Sequence, residues 1–260
     1  MRIDPLVEPG PELAPEDRAR YARQLALPAV GELGQRRLGA ARVLVVGAGG
    51  LGSPVLLYLA AAGVGTIGIV DVDAVEVSNL QRQVIHSTAD LGRSKVASAA
   101  ESVRALNPGV VVEEHDYRMT VRNAAELATG YDLVVDGSDT LFTRYLVADA
   151  CEAAGKPLVW GSVLALDGQV TVFWSEAPDG AARVLRDLHP DTGNPFDTFG
   201  VCATEGVSPA VCGLIGSAMA GEAISLITGG EVLLGRVLVY SGQFKSWAEL
   251  EVLPAVPSVE

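Results

Sequence analysis

The sequence predicts an α/β fold: a mostly parallel sheet flanked by helices, with C-terminal antiparallel strands and a long crossover loop. Three observations predict it. Residues 42–46, Arg-Val-Leu-Val-Val, form a β-branched apolar run suited to a strand buried on both faces. Gly47, Gly49 and Gly52 follow at G-x-G-x-x-G spacing, with Gly50 inside the turn. A second apolar run at 66–70 then closes on Asp71. Strand, glycine turn, helix, strand and acid in this order make a Rossmann-like nucleotide unit. The first glycine permits the tight turn, the second lets backbone approach phosphate, and the third lets the helix pack on the sheet. The helix at 51–62 offers its free N–H groups to an anion, and Asp71 can accept from ribose hydroxyls.

The remaining elements follow in chain order. Residues 1–15 are rich in Pro and Glu and read as a flexible tail. A short helix at 15–25 carries Arg20 and Arg23, and another spans 33–41. Residues 95–106 are helical and stop at Asn107-Pro108. A strand at 110–114 and a helix at 124–129 come next. The run 132–136, Asp-Leu-Val-Val-Asp, is a further buried parallel strand ending at Gly137-Ser-Asp139. A helix at 141–154 and strands at 158–161 and 168–174 follow. Residues 178–204 are rich in Gly, Pro and Asp and read as a crossover loop over the sheet face. A helix at 208–227 stops at Gly229-Gly230, and strands at 237–240 and 247–253 end one domain of residues 16–253. Residues 254–260 read as a C-terminal tail.

Composition narrows the classes of function. A net charge of −13 argues against nucleic acid, whose phosphates call for clustered Lys and Arg. Residues 43–70 carry no charge, but seven glycines and Pro54 interrupt them, so a membrane span is rejected. Cys151, Cys202 and Cys212 are too few for a disulfide framework, and no segment reads as a signal peptide. A cytoplasmic protein is expected.

Further motifs carry a resemblance. They are Arg20-Tyr-Ala-Arg-Gln24, the glycine turn, Asp71-Val-Asp73 and Ser78-Asn-Leu-Gln-Arg-Gln83. Gly92-Arg-Ser-Lys95, Asn107-Pro108, Asp136-Gly-Ser-Asp139 with Arg144, Gly168-Gln-Val-Thr-Val172 and Cys202-Ala-Thr-Glu-Gly-Val207 complete the set. From Arg20 to Leu253 the chain resembles the ThiF/MoeB family of adenylyltransferases, relatives of the ubiquitin-activating enzymes.

The resemblance implies a reaction. AMP from ATP is joined to the C-terminal glycine of a ubiquitin-like sulfur carrier protein ending in Gly-Gly, and pyrophosphate leaves. Charge on the phosphate oxygens calls for cations and Mg2+. By resemblance Arg82 and Lys95 are those cations, and Asp71 binds ribose. Asn79 orients phosphate, and Asp139 holds Mg2+. Asp73, Ser78, Leu80, Gln81 and Thr140 join the nucleotide-binding set. Arg23 is similar to a residue that reaches into the neighbouring subunit's site, which implies a homodimer. Cys202 matches a loop cysteine and is the candidate nucleophile, for a thioester, persulfide or acyl disulfide. Its bland alternative is an inert small residue. Bland alternatives also stand for Arg23 as a solvated charge and Asp139 as a helix cap. His86 reads as structural.

Two departures stand out. Many members hold zinc with two Cys-x-x-Cys pairs; here the first pair's place is taken by Val184 and Asp187, and three cysteines cannot make four ligands. No zinc is therefore expected, and the crossover is held by packing alone or moves. Thr140 stands where the family usually has Asn. With no rhodanese-like domain in the sequence, a separate sulfur-donor protein is expected. The competing readings are an NAD-dependent oxidoreductase, a catalytically silent carrier-binding scaffold and an enzyme that adenylates a peptide C-terminus.

Overall fold

The three apolar runs become neighbouring strands. In the computed structural model, which describes residues 1–190 and 206–255, β2 (Arg42–Val46) pairs in parallel with β3 (Thr66–Val70) on one side and β5 (Leu133–Asp136) on the other. β4 (Val111–His115) extends the sheet beyond β3, and β6 (Leu158–Leu164) extends it beyond β5. β7 (Asp167–Phe173), β9 (Arg236–Ser241) and β10 (Ser246–Glu251) then add antiparallel, giving the order β10-β9-β7-β6-β5-β2-β3-β4. The chain therefore reverses its direction of travel between β2 and β5. At such a switch point the loops leave in opposite directions and open a crevice at the carboxyl ends of the strands.

Alternation along the strands feeds two cores. Val43 and Val45 face one side with helices α3 (Gly31–Ala40), α4 (Gly52–Ala62), α5 (Lys95–Leu106) and α9 (Pro209–Thr228). Leu44 and Val46 face the other with α6 (Ala124–Thr129) and α7 (Leu141–Ala154). Both cores are close-packed: Leu56 and Leu59 on α4 are fully buried, each stabilising the fold by about 2 kcal/mol. Among the described residues α9 alone is long and apolar enough to cross a membrane. Here it packs on α4, β6 and β7 through Ile215, Gly216 and Met219. Gly216 lets the helices touch, since a Cβ there would lie 2.4 Å from Pro54 Cγ.

Three expectations are corrected. First, the N-terminal residues are docked rather than loose. β1 (Arg2–Ile3) pairs with β8 (Gly230–Glu231), Leu6 N donates to Leu226 O at 3.0 Å, and Ile3 is buried. Arg36 and Arg37 on α3 also donate to the carbonyls of Gly10 and Val7, so backbone pairing outweighs a composition that favours disorder. Second, the helix expected at 15–25 is two, α1 (Pro15–Arg20) and α2 (Ala22–Leu25). Tyr21 breaks it by turning inward over Gly63, where its hydroxyl accepts from Asn107 Nδ2 at 2.9 Å. Third, the crossover begins as ordered structure, with a short helix α8 (Leu185–Leu188), and is fastened by more than packing. Arg183 Nε donates to Val252 O at 2.7 Å. The Asp187 carboxylate accepts from Val184 N at 2.8 Å and Ala255 N at 2.7 Å. The rest of the crossover, including Cys202, and residues 256–260 of the expected C-terminal tail lie outside the described residues.

Candidate functional site

The glycine turn is built by close approaches that leave no space for side chains. Gly47 adopts φ +90°, and a Cβ on Gly52 would fall 1.8 Å from Gly47 O. Two side chains then pin the turn from opposite ends of Ala48. Its N–H donates to Asp71 Oδ2 at 2.8 Å, and its carbonyl faces His86 Nε2 at 3.0 Å. A carbonyl only accepts, so His86 carries its proton on Nε2, and Nδ1 accepts from Ser98 Oγ at 2.8 Å. Burial pushes the His86 imidazole below its ordinary range, so it stays neutral. His86 is thus a strut beneath the turn, as expected. Asp71 Oδ1 also accepts from Val72 N and Asp73 N, which fixes its carboxylate at the end of β3.

Above the turn, at the switch point, lies a cavity of about 570 Å3. Among the candidates from sequence, Gly47, Gly49, Gly50, Asp71, Asp73, Arg82, Lys95, Asp139 and Thr140 all line it. Lys95 opens α5, whose N-terminal N–H groups repel a cation. It is held there, its side chain only 7% exposed, by Asp73 Oδ2 at 2.8 Å. Asp73 itself is mostly exposed, so an incoming phosphate can compete for the ammonium. Arg82 reaches alongside Gly50 and donates to Ser78 O at 3.0 Å. Thr140, rather than Asp139, caps α7: its Oγ1 accepts from Thr143 N at 3.2 Å. That removes capping as the role of Asp139. Its carboxylate, exposed at the cavity rim, makes no hydrogen bond or ion pair among the described residues.

Other candidates lie elsewhere. Asn79 is buried away from the cavity wall, and its Oδ1 accepts from Glu76 N at 3.1 Å in a capping box. This bond serves the turn's own N–H, and Asn79 is not among the residues that line the cavity. Ser78, Leu80 and Gln81 belong to the same turn, and Gly52 lies below the glycine loop. Arg23 is exposed on α2, outside the cavity.

The cavity also has walls that the site reading missed. Tyr117, Arg118 and Met119 follow β4, next to the strand that carries Asp71. That adjacency was the available signal, since ligands in such sheets lie across successive strand ends. Gln83, Phe142, Arg144 and Cys212 also line it. Arg144 donates to Ser138 O at 2.9 Å and to Gly161 O at 3.1 Å, tying the Asp139 loop to β6. Asp136, fully buried beneath that loop, is pushed upward in pKa by desolvation, against the pull of Arg144. Arg82, Lys95, Arg118 and Arg144 thus gather four cations at one cavity in an acidic chain.

The fold, with a glycine turn, a strand-end carboxylate and clustered cations at the switch point, is of the α/β class whose crevices accommodate phosphorylated ligands. Residues 21–258 match the ThiF family, and the chain belongs to that family. It is 52% identical over 260 residues to the probable adenylyltransferase/sulfurtransferase MoeZ of Mycobacterium tuberculosis, covering 99% of this chain and 66% of that protein. It is 47% identical over 239 residues to the sulfur carrier protein adenylyltransferase of Thermus thermophilus, covering 91% of this chain and 88% of that one. The fold is shared with E. coli MccB, solved with MccA-N7isoASN, at a TM-score of 0.78 and 18% identity over 92% of this chain and 73% of the other.

Proposed function

We propose that this protein uses ATP to adenylylate the C-terminal glycine of a small ubiquitin-like sulfur carrier protein ending in Gly-Gly. The observation that carries this reading is Lys95, a buried cation whose ammonium is held at the cavity wall, among the described residues, by a mostly exposed Asp73. With Arg82 beside Gly50, it supplies positive charge where a triphosphate would lie. The names of the mycobacterial and Thermus relatives support the same reaction class.

The chemistry is a displacement at phosphorus. A carrier carboxylate oxygen bonds to the α-phosphorus, the bond to the bridging oxygen of the β-phosphate breaks, and pyrophosphate departs. Asp71 orients the ribose, and the glycine turn presents its backbone to the α-phosphate. Lys95 and Arg82 take up the charge that builds on the phosphate oxygens, and losing one such group costs about 10²–10³ in kcat. Asp139 fits a magnesium ion, because its rim carboxylate, unpaired among the described residues, is the kind of ligand Mg2+ commonly takes, one or two at a time, alongside phosphates and water. The ion would neutralise phosphate charge. In our reading the active form is a homodimer in which Arg23 completes the partner's site. Cys202 is the candidate for the later sulfur step, with a separate protein as donor. We further read the chain as zinc-free and cytoplasmic.

An NAD-dependent oxidoreductase would use the glycine turn and Asp71 but has no task for Lys95, Arg82 and Asp139. Calorimetric titration separates the two. ATP with Mg2+ is expected to bind, and Lys95→Ala to weaken it about tenfold or more. Binding of NAD in preference to ATP would overturn the proposal.

A further inference from the structure

Gln83 follows Arg82 directly and is 4% exposed, yet it lines the nucleotide cavity. Its Oε1 is sealed from solvent with no hydrogen-bond partner among the described residues. Its Nε2 lies 3.6 Å from where a Cβ on Gly49 would sit, over the middle of the glycine turn. No hydrogen bond of this carboxamide occurs among the described residues. A buried amide left without partners is costly, and a structural role would have provided them.

The position identifies what it meets. Ala48 N donates to Asp71, so the ribose acid and the glycine turn adjoin. The group just beyond the ribose, the α-phosphate, then falls over Gly49 and Gly50, immediately before α4. We propose that Gln83 is a catalytic residue whose Nε2–H donates to a non-bridging oxygen of the α-phosphoryl group that receives the carrier carboxylate. The inference rests on the adenylylation reading above. A neutral donor suits this place: it strengthens as negative charge grows on that oxygen, and unlike Lys95 it does not attract the carboxylate nucleophile. Burial keeps the bond dry and pre-aimed.

The test uses the full chain with Gln83→Met, which keeps shape and removes the donor, and Gln83→Glu, which replaces the donor with a carboxylate. Gln83→Met should bind ATP within about threefold of wild type and slow carrier-dependent ATP–pyrophosphate exchange about 10- to 100-fold, as for a lost hydrogen bond to a charged group. Gln83→Glu should be slower still at alkaline pH and recover in mild acid, where its protonated carboxyl becomes a donor. A merely structural residue would not give that profile. The 31P spectrum of bound ATP should show the α resonance displaced in Gln83→Met, with β and γ unmoved. Wild-type exchange and an undisplaced α resonance in Gln83→Met would overturn the proposal. If wild type binds ATP but exchanges nothing with any carrier, the adenylylation reading falls, and the 31P comparison alone decides Gln83.

Discussion

At the residue scale, the site is assembled from side chains that first serve the backbone. Asp71 fixes the glycine turn with the carboxylate that would hold ribose, and His86 supports the same peptide from below. The His86 imidazole is held below its ordinary value of 6.5, chiefly by burial, so the unfolded chain takes up a proton first as pH falls. This group therefore costs no stability above that value. Stability is lost progressively as pH drops from there to the lowered native value, and the loss is complete below it. Urea unfolding should show wild type losing its advantage over His86→Asn between neutral and mildly acid pH; a gap that stays constant or widens would refute a neutral buried strut. Asn79 likewise serves the backbone. Its motif suggests phosphate, and its Oδ1 closes a local turn as well, so Asn79→Ala should cost about 1 kcal/mol of stability. Thermal unfolding measures that loss, and an unchanged midpoint would contradict it.

At the element scale, most strands and helices were legible because their signals are local. Apolar β-branched runs gave β2, β3 and β5. Their ends carry Gly47, Asp71 and Gly137, and so the crevice. What escaped depends on distant partners. β1 is recognisable only through β8, more than two hundred residues away in the chain, and the break at Tyr21 only through Gly63 and Asn107. The crossover looks irregular in sequence because no sequence pattern shows that Asp187 meets Ala255. In this chain Asp187 and Arg183 tie the crossover to the C-terminal segment. Asp187→Ala should accordingly raise hydrogen exchange at residues 183–190 without changing β2 or β3. Uniform exchange in both proteins would show that packing alone holds it. Gly52→Ala belongs to this scale too. Its Cβ would meet the Gly47 carbonyl, and it should cost about 3 kcal/mol; a thermal midpoint equal to wild type would contradict the tight turn.

At the scale of the whole molecule, one sheet reversal creates the site. β2 and β5 release their loops in opposite directions, and Asp71, Lys95 and Asp139 come from three separate segments to one cavity. The motif order in sequence names these residues as candidates. Gln83 and the wall at Tyr117–Met119 became evident only when the strand ends were placed side by side. The most direct measurement is pyrophosphate exchange into ATP, with Mg2+, against Gly-Gly-ending sulfur carriers from the same genome. Exchange that requires one carrier, and falls about 10²-fold or more in both Lys95→Ala and Asp139→Ala, is the predicted result. ATP binding with no exchange for any carrier, or exchange undiminished in both variants, would contradict the account.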